Sequence, residues 1–314
     1  MPDRQLTAVS RTQGNNRALK TGEVTPSGYR LEFDEVPVLV QAFRRMVRGL
    51  EWDVCEMAFS TYLCAKAYGV RFTAIPVFLV RGFHHGAIVV NPRAGIRHPK
   101  DLEGRRVGVN RGYTVTTGVW ARGILADEYG VGLDAITWVP TGDEHVAQYR
   151  PPRSVTPPTG AGGLADLVAA GELDAAVGIE ADRPDVVPLI PDADQAGLAA
   201  LQARGHYPIN HLVVVKDDVL AEHPDLAADL FEAFAESKRR YVAGLSDDVA
   251  HPTATDAMHR RVMELTGADP LPYGVEANRA VVEELIGHAV RQHIIDSRPV
   301  AAELFAAGTA NLNG

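Results

Sequence analysis

The chain has 314 residues, a length that favours about two domains over a single small one. Hydrophobic residues make up 46% and charged residues 23%, which excludes a disordered or collagen-like chain. The formal net charge is −9, from 31 basic and 40 acidic residues, and this excess of acid disfavours nucleic acid and anionic membranes as partners. Two cysteines, Cys55 and Cys64, are too few for a disulfide framework, and we expect buried free thiols.

Short apolar runs alternate with helical patterns along the chain, which is typical of an α/β architecture. Strands are predicted at 6–10, 29–36, 54–59, 72–80, 86–91, 106–110, 136–141, 175–179, 187–190 and 212–216. Helices are predicted at 15–20, 38–49, 60–68, 116–129, 163–170, 193–204, 224–243, 253–266, 276–293 and 301–305. In the helix at 276–293, the apolar residues recur close to every 3.6 positions.

The first residues of the sequence bear on its location. They run through Met1-Pro2-Asp3-Arg4-Gln5 into a short apolar stretch, without the basic start, the longer apolar core and the cleavage site of a secretory signal. No stretch reaches the ~18 apolar residues of a membrane span. If the chain begins at its natural start, we therefore expect a cytoplasmic protein without a membrane partner.

Two segments are predicted to connect separate lobes, because each leads from a loop into an apolar strand. The first ends near residue 110 and the second begins near residue 210. We therefore expect lobe 1 to contain 1–109 and 211–314, and lobe 2 to be an insertion of 110–210. Two lobes joined by two crossovers leave a central cleft, which is the usual place for a small ligand.

Several stretches of the sequence resemble known proteins. Lys100-Asp101-Leu102-Glu103-Gly104-Arg105-Arg106-Val107-Gly108 is similar to a segment that enters the second lobe of type II periplasmic-binding-protein-like folds. Narrower matches lie at 53–62, 74–78, 119–131 and 272–279. Together they resemble the 4,5-dihydroxyphthalate decarboxylase family over roughly residues 6–305. The resemblance implies a two-lobed α/β fold and non-oxidative loss of CO2 from a hydroxylated aromatic carboxylate, in the degradation of phthalate-like aromatic compounds.

Polar side chains follow the predicted strands, where ligands of open α/β sheets bind. Arg11 and Asn16 follow the first strand, and the arginine fork suits a substrate carboxylate. The alternative is a solvated arginine beside a simple helix cap. Ser60 and Thr61 follow the third strand at the start of a helix, where hydroxyls and free N–H groups either bind an anion or only cap the helix.

Three residues are candidates for catalysis. Glu56 lies inside a strand, and a buried glutamate must be neutral or paired, either with a histidine of the site or with a structural arginine. His85 precedes the strand at 86–91, and the resemblance implies that it enters the cleft rather than His84. His211 lies at the second crossover, where an imidazole that titrates near neutral pH can donate a proton to carbon.

The inserted lobe is predicted to contribute further contacts to the substrate. A polar turn joins a strand to a helix and suits a carboxylate, and it contains Arg111, Thr114, Thr116 and Thr117. The spacing of its glycines fits neither a Walker nor a dinucleotide motif. Glu180 and Arg183 end another strand, and they either contact the ligand or belong to a solvated charged loop.

These residues lead to one functional hypothesis and one alternative. In the hypothesis, His85 or His211 is held as an imidazolium by a carboxylate such as Glu56, protonates the ring carbon that bears CO2⁻, and CO2 leaves. We expect no cofactor, although a divalent metal held by His85, His211 and Glu56 is an alternative without a spacing signature. The alternative function is a non-catalytic binding protein for a small organic acid, such as the solute receptor of a transporter. The sequence leaves open whether copies of the chain associate into a homo-oligomer.

Overall fold

The computed structural model describes residues 4–157, 162–245 and 252–314. The strands in this part of the chain are β1 Arg4–Val9, β2 Tyr29–Asp34, β3 Val54–Ala58, β4 Phe72–Arg81, β5 Ile88–Val90, β6 Arg106–Val109, β7 Thr137–Pro140, β8 Ala175–Val177, β9 Val187–Pro188 and β10 Ile209–Lys216. The α-helices are α1 Arg17–Lys20, α2 Leu39–Gly49, α3 Phe59–Ala67, α4 Thr116–Tyr129, α5 Leu164–Ala169, α6 Ala193–Arg204, α7 Asp217–Glu222, α8 Leu226–Leu245, α9 Ala254–Thr266 and α10 Val275–Arg291. Short 3₁₀ helices lie at Gly14–Asn16, His85–Ala87, Pro99–Leu102, Leu133–Ala135 and Ala301–Leu304.

The chain forms two compact units. Unit 1 comprises Met1–Arg81, Ile209–Glu283 and Pro299–Gly314, and unit 2 comprises Gly82–Pro208 and Glu284–Arg298. The boundaries differ from the expected insertion of 110–210. Residues 82–109 belong to unit 2 because β5 pairs with β8 and β9 of that unit, and a second segment, which includes the end of α10, belongs to it as well.

Each unit is built on one five-stranded sheet. In unit 1 the order is β2-β1-β3-β10-β4, with β1 parallel to β2 and β3, and β10 antiparallel to both of its neighbours. In unit 2 the order is β7-β6-β8-β5-β9, with β6 parallel to β7 and β8, and β5 antiparallel to both of its neighbours. Because β10 comes late in the chain and pairs inside the first sheet, it brings a distant segment beside β3.

Local sequence signals account for several helix ends. At the start of α9, the Thr253 side chain accepts a hydrogen bond from the Asp256 amide while the Asp256 carboxylate accepts one from the Thr253 amide. Helix α4 ends at Gly130, whose φ of 65° lies in the left-handed region that glycine adopts without strain. Helix α7 was not predicted, and its six residues fall in the predicted connection between the strand at 212–216 and the helix at 224–243.

The pairing of β4 with β10 is irregular around Leu212. Val80 pairs with His211, whereas Ile75 pairs with Val213, so β4 carries extra residues at this point. Pro76 lies in this bulge, where its missing N–H costs no ladder bond. The carbonyls that the bulge releases find other partners: the Gly274 amide donates to Pro76 at 2.9 Å, and the Asn15 side chain donates to the Leu79 carbonyl at 2.9 Å. The bulge thereby fixes the 3₁₀ helix that contains Asn15.

Among the helices of the described residues, none is both long enough and apolar enough to cross a bilayer.

Candidate active site

Strand register brings Glu56 and His211 together in unit 1. Val213 pairs with Glu56 and His211 pairs with Ala58, so the two ionisable residues occupy diagonal positions on neighbouring antiparallel strands. Diagonal residues share one face of a sheet, and long side chains bridge the distance between them. The His211 Nδ1 accordingly lies 2.7 Å from Oε1 of Glu56. The separate predictions of a paired glutamate and of a histidine at the second crossover therefore meet in one contact.

The Glu56 carboxylate is buried and saturated with donors. The residue is 1% exposed, and its Oε2 accepts hydrogen bonds from the Ser10 hydroxyl at 2.8 Å and from the Arg11 amide at 3.0 Å. Burial raises the pKa of Glu56, but the hydrogen bond and charge of His211, aided by the Ser10 hydroxyl, outweigh burial and hold that pKa below its ordinary value. The carboxylate is therefore ionised at neutral pH and faces an imidazole.

The imidazole of His211 is held in one orientation. Its Nδ1 faces Glu56, and Phe43 of α2 packs against its ring in an edge-to-face arrangement with centroids 5.1 Å apart. The Nε2 atom makes no hydrogen bond with any residue that the structure describes, and the side chain is 18% exposed. Because the buried carboxylate occupies Nδ1, Nε2 is the nitrogen that can exchange a proton with a bound molecule.

The loop after β1 closes around the same carboxylate. The buried Asn16 donates from its side-chain amide to the Ser10 hydroxyl at 2.8 Å and to the Arg11 carbonyl at 2.9 Å. Its side-chain oxygen accepts from the Gln13 amide at 2.8 Å. Asn16 thus positions the loop that holds Glu56. Arg11 joins this network through its backbone amide and carbonyl, and its side chain is exposed.

Gly14 explains how that loop lies so close to α8. A Cβ added at this position would fall 2.1 Å from a ring atom of Tyr241, so only glycine fits. Tyr241 is itself fixed, because its hydroxyl donates to the Asp256 carboxylate at 2.6 Å and contacts Nδ1 of His259 at 2.9 Å. The loop therefore rests on a rigid surface.

Ser60 and Thr61 occupy the first turn of α3, as predicted, directly after β3. Both residues are fully buried. The expected contact of these hydroxyls with a substrate stays a prediction, and their burial favours a role in packing at the start of α3.

His85 lies in unit 2 and has its own carboxylate. Its Nε2 is 2.8 Å from the Glu128 carboxylate of α4, which also accepts from Arg204 at 2.7 Å. Burial raises the pKa of Glu128, but the hydrogen bonds of His85 and Arg204 outweigh it and lower that pKa. The partner expected for a catalytic histidine, Glu56, therefore belongs to His211, and His85 is paired with Glu128 instead.

The polar turn before α4 already binds a carboxylate of the chain itself. Glu144 accepts hydrogen bonds from the Tyr113 amide at 2.5 Å and from the Thr114 hydroxyl at 2.6 Å. We expected Thr114 to receive a substrate carboxylate; its hydroxyl and amide are instead directed to Glu144. The turn therefore binds a carboxylate, as the sequence predicted, but this carboxylate belongs to Glu144 and not to a substrate.

The other predicted residues of this turn differ in their surroundings. Arg111 is exposed and has a positive φ of 66°, and its backbone amide donates to the Thr141 hydroxyl at 3.0 Å. Thr116 is buried and Thr117 half-buried in the first turn of α4. A contact of these three residues with a substrate stays a prediction.

The charged loop after β8 is solvated. Glu180 is exposed, and the Arg183 guanidinium bonds with Asp166 at 2.6 Å and with Asp185 at 2.5 Å. Of the two alternatives for this segment, the structure favours the solvated loop, because two surface carboxylates already occupy the arginine fork.

Among the described residues, one group of three or more potential metal ligands converges. It contains Asp127, Glu284 and His288, all in unit 2. This set differs from the predicted alternative of His85, His211 and Glu56, because each of those two histidines is engaged by a carboxylate of its own unit.

Sequence reasoning missed the residues that support the site. Ser10, Phe43, Glu128 and Glu144 were not singled out, although each contacts a predicted site residue. One signal was available for Ser10, since it follows the first strand directly. The other three lie far along the chain from their partners, and no local pattern marks them.

Comparison with curated proteins finds two relatives. A 4,5-dihydroxyphthalate decarboxylase of Comamonas testosteroni is 33% identical over 284 residues, which cover 84% of this chain and 85% of the relative. A protein of the same name from Pseudomonas putida is 34% identical over 148 residues, covering 44% of this chain and 56% of that protein. No family model matches the sequence.

Comparison with solved structures finds the same architecture in distant proteins. The periplasmic aliphatic sulphonate binding protein SsuA of Escherichia coli aligns with a TM-score of 0.54 at 11% identity, over 98% of this chain and 99% of that one. The C27S mutant of the desulfurization enzyme DSZB, in complex with biphenyl-2-sulfinic acid, aligns with a TM-score of 0.53 at 15% identity, over 98% of both chains. Such low identity shows the fold alone, and the periplasmic-binding-protein-like fold predicted from the sequence is thereby confirmed.

Proposed function

Since the chain belongs to the 4,5-dihydroxyphthalate decarboxylase family, we propose that it removes CO2 from a hydroxylated aromatic acid, with 4,5-dihydroxyphthalate as the first substrate to test. The reaction is a carbon–carbon lyase step and involves no oxidation. The proposal includes a role in the breakdown of phthalate-like aromatic compounds and the cytoplasmic location expected from the sequence.

The observation that carries the mechanism is the buried Glu56–His211 pair. Glu56 accepts the Nδ1 proton of His211 and stabilises the imidazolium form, which leaves Nε2–H as the proton donor. In the proposed step, Nε2 gives its proton to the ring carbon that bears the departing carboxylate. The hydroxyl para to that carbon loses its proton and supplies electrons, so the ring becomes a dienone.

The second half of the reaction restores the aromatic ring. The bond between the ring carbon and the carboxylate breaks, its electron pair restores the aromatic ring, and CO2 leaves. The phenolate formed in this way takes back from solvent the proton that the hydroxyl gave up. One proton is taken up and one CO2 is released, so 4,5-dihydroxyphthalate yields 3,4-dihydroxybenzoate. Nε2 of His211 must then be protonated again before the next turnover. The partial exposure of the His211 side chain allows solvent to supply that proton.

The loop after β1 is the support of this site. Asn16 holds the Arg11 backbone in place, and the Arg11 amide in turn donates to Glu56. The backbone of Arg11 contacts Glu56, and its side chain is exposed. The Arg11 guanidinium is our candidate for binding a substrate carboxylate, because it offers two parallel donors.

The test is turnover of purified protein. Incubation with 4,5-dihydroxyphthalate, and separately with hydroxybenzoate analogues, should release CO2 and the matching phenol. His211→Gln should lower kcat by about 10²-fold or more, since a general acid contributes at least that much. The matched control is His98→Gln, because His98 is an exposed histidine of unit 2.

Two outcomes would contradict the proposal in different ways. Binding of these acids without CO2 release across the whole panel would favour the binding-protein alternative. Turnover that His211→Gln leaves unchanged would keep the decarboxylase and remove His211 as its proton donor.

A further inference from the structure

A small cavity lies wholly within unit 2, outside the Glu56–His211 site. It encloses about 10 Å³, which is room for about one water molecule or one ion. Apolar residues such as Phe83 and Trp120 form part of its lining, and the ionisable side chains that line it are His85, Asp127, Glu128, Arg204, His206, Glu284 and His288. An organic acid does not fit such a volume, whereas a single cation does.

Three of these side chains converge on one point. The candidate ligand atoms of Asp127, Glu284 and His288 all lie within 4.8 Å of one another. Glu284 and His288 are one turn apart on α10 and therefore share a face of that helix, while Asp127 comes from α4. The buried imidazole of His288 is fixed over Gly123, where an added Cβ would fall 2.4 Å from its ring atoms.

Two more imidazoles belong to the same cavity. Nδ1 of His206 lies 2.7 Å from Oε2 of Glu284. His85 is 2% exposed, and its Nδ1 is buried without a hydrogen-bond partner. A buried imidazole nitrogen left without a partner is costly, and a ligand in the cavity would relieve that cost.

A positive group already bridges the converging ligands. Nη2 of Arg291 lies 2.8 Å from Oδ2 of Asp127 and 2.8 Å from Nδ1 of His288. Since a guanidinium only donates, Nδ1 of His288 presents a lone pair, as a metal ligand must. The Arg291 side chain is 54% exposed, so a guanidinium displaced by an ion would enter solvent.

We propose that this cavity binds one divalent transition-metal ion, such as Zn²⁺, through Asp127, Glu284 and His288 in place of the Arg291 guanidinium. His206, whose Nδ1 lies 2.7 Å from Oε2 of Glu284, would orient that carboxylate. Mixed imidazole and carboxylate ligands suit Zn²⁺, whereas Mg²⁺ prefers oxygen ligands and water. The ion would fasten α4 to α10 inside unit 2, and this role is independent of the proposed decarboxylation.

The test uses the untagged, full-length protein after treatment with a chelator. Titration with ZnCl2 should show stoichiometric binding by calorimetry and should raise the Tm by a few degrees, whereas MgCl2 should do neither. Asp127→Asn and Glu284→Gln should each weaken Zn²⁺ binding by about tenfold or more. Asp134→Asn is the matched control, because Asp134 is an exposed acid of the same unit.

The Arg291→Gln variant distinguishes Zn²⁺ bound in this cavity from Zn²⁺ bound nonspecifically at the surface. Removal of the competing guanidinium should tighten Zn²⁺ binding, while an ion bound elsewhere would be unaffected. The proposal is overturned if neither the wild type nor Arg291→Gln binds Zn²⁺ stoichiometrically. It is equally overturned if Asp127→Asn and Glu284→Gln, with folding verified by circular dichroism, bind as tightly as the wild type.

Discussion

Replacement of Glu56 by glutamine tests the proposed mechanism most directly, because the change keeps the shape of the side chain. Oε2 accepts from the Arg11 backbone amide, which can only donate, so the amide oxygen of glutamine must take that position. Its NH2 group then faces Nδ1 of His211 in place of Oε1. Two donors cannot face each other, so His211 is forced into a neutral form with an unprotonated Nδ1.

The size of the effect follows from the bond that is lost. A hydrogen bond to a charged group contributes about 1.5–3 kcal/mol, which corresponds to roughly 10- to 100-fold in rate when the imidazolium is the reactive form. We therefore expect kcat of Glu56→Gln to fall by about 10- to 100-fold.

The assay is the initial rate of CO2 release at saturating 4,5-dihydroxyphthalate, measured between pH 5.5 and 9 at constant ionic strength. Glu23→Gln is the matched control, because Glu23 is an exposed glutamate of the same unit. Circular dichroism verifies folding of both variants. A folded Glu56→Gln protein with the wild-type kcat would refute the role given to the pair.

Two further predictions concern stability. Glu144→Gln should lower the free energy of unfolding by about 1–3 kcal/mol in urea titrations, because the amide group cannot accept from both Tyr113 and Thr114; an unchanged midpoint would show that the turn does not depend on this carboxylate. Burial lowers the pKa of His259 from 6.5 to about 4, so the unfolded chain binds this proton more readily and stability should fall as the pH drops from 6.5 towards 4, by roughly 3 kcal/mol at most. His259→Gln should flatten that dependence in urea titrations at pH 7.5 and 5, and a slope equal to that of the wild type would remove His259 as its source.

The pair in unit 1 could be predicted because its signals are local. A glutamate inside an apolar strand must find a partner, and this requirement marks Glu56 without any knowledge of the fold. His211 precedes the apolar run of β10, which places it near a strand end. Only the register of β10 on β3 decides that these two residues meet, and register depends on pairing across more than a hundred residues.

The partners in unit 2 could not be predicted in the same way. The turn before α4 has the donors for a carboxylate, but nothing in its sequence says that the acid is Glu144 rather than a substrate. Likewise, the position of His85 beside a predicted strand does not indicate that its partner is Glu128. The sequence also did not predict that 284–298 belongs to unit 2. The apolar period of α10 is continuous across the boundary between the two units, so the pattern does not indicate where that boundary lies.

The irregular pairing of β4 has a consequence for how this protein could change. β10 keeps a regular register with β3, while its other edge accommodates the extra residues between Ile75 and Val80. Length variation in that stretch is thus absorbed on the side of β10 that does not set the distance between Glu56 and His211. Evolution, or an engineer, could change the length of this stretch without altering the register that pairs Glu56 with His211, provided that Leu79 keeps its contact with Asn15.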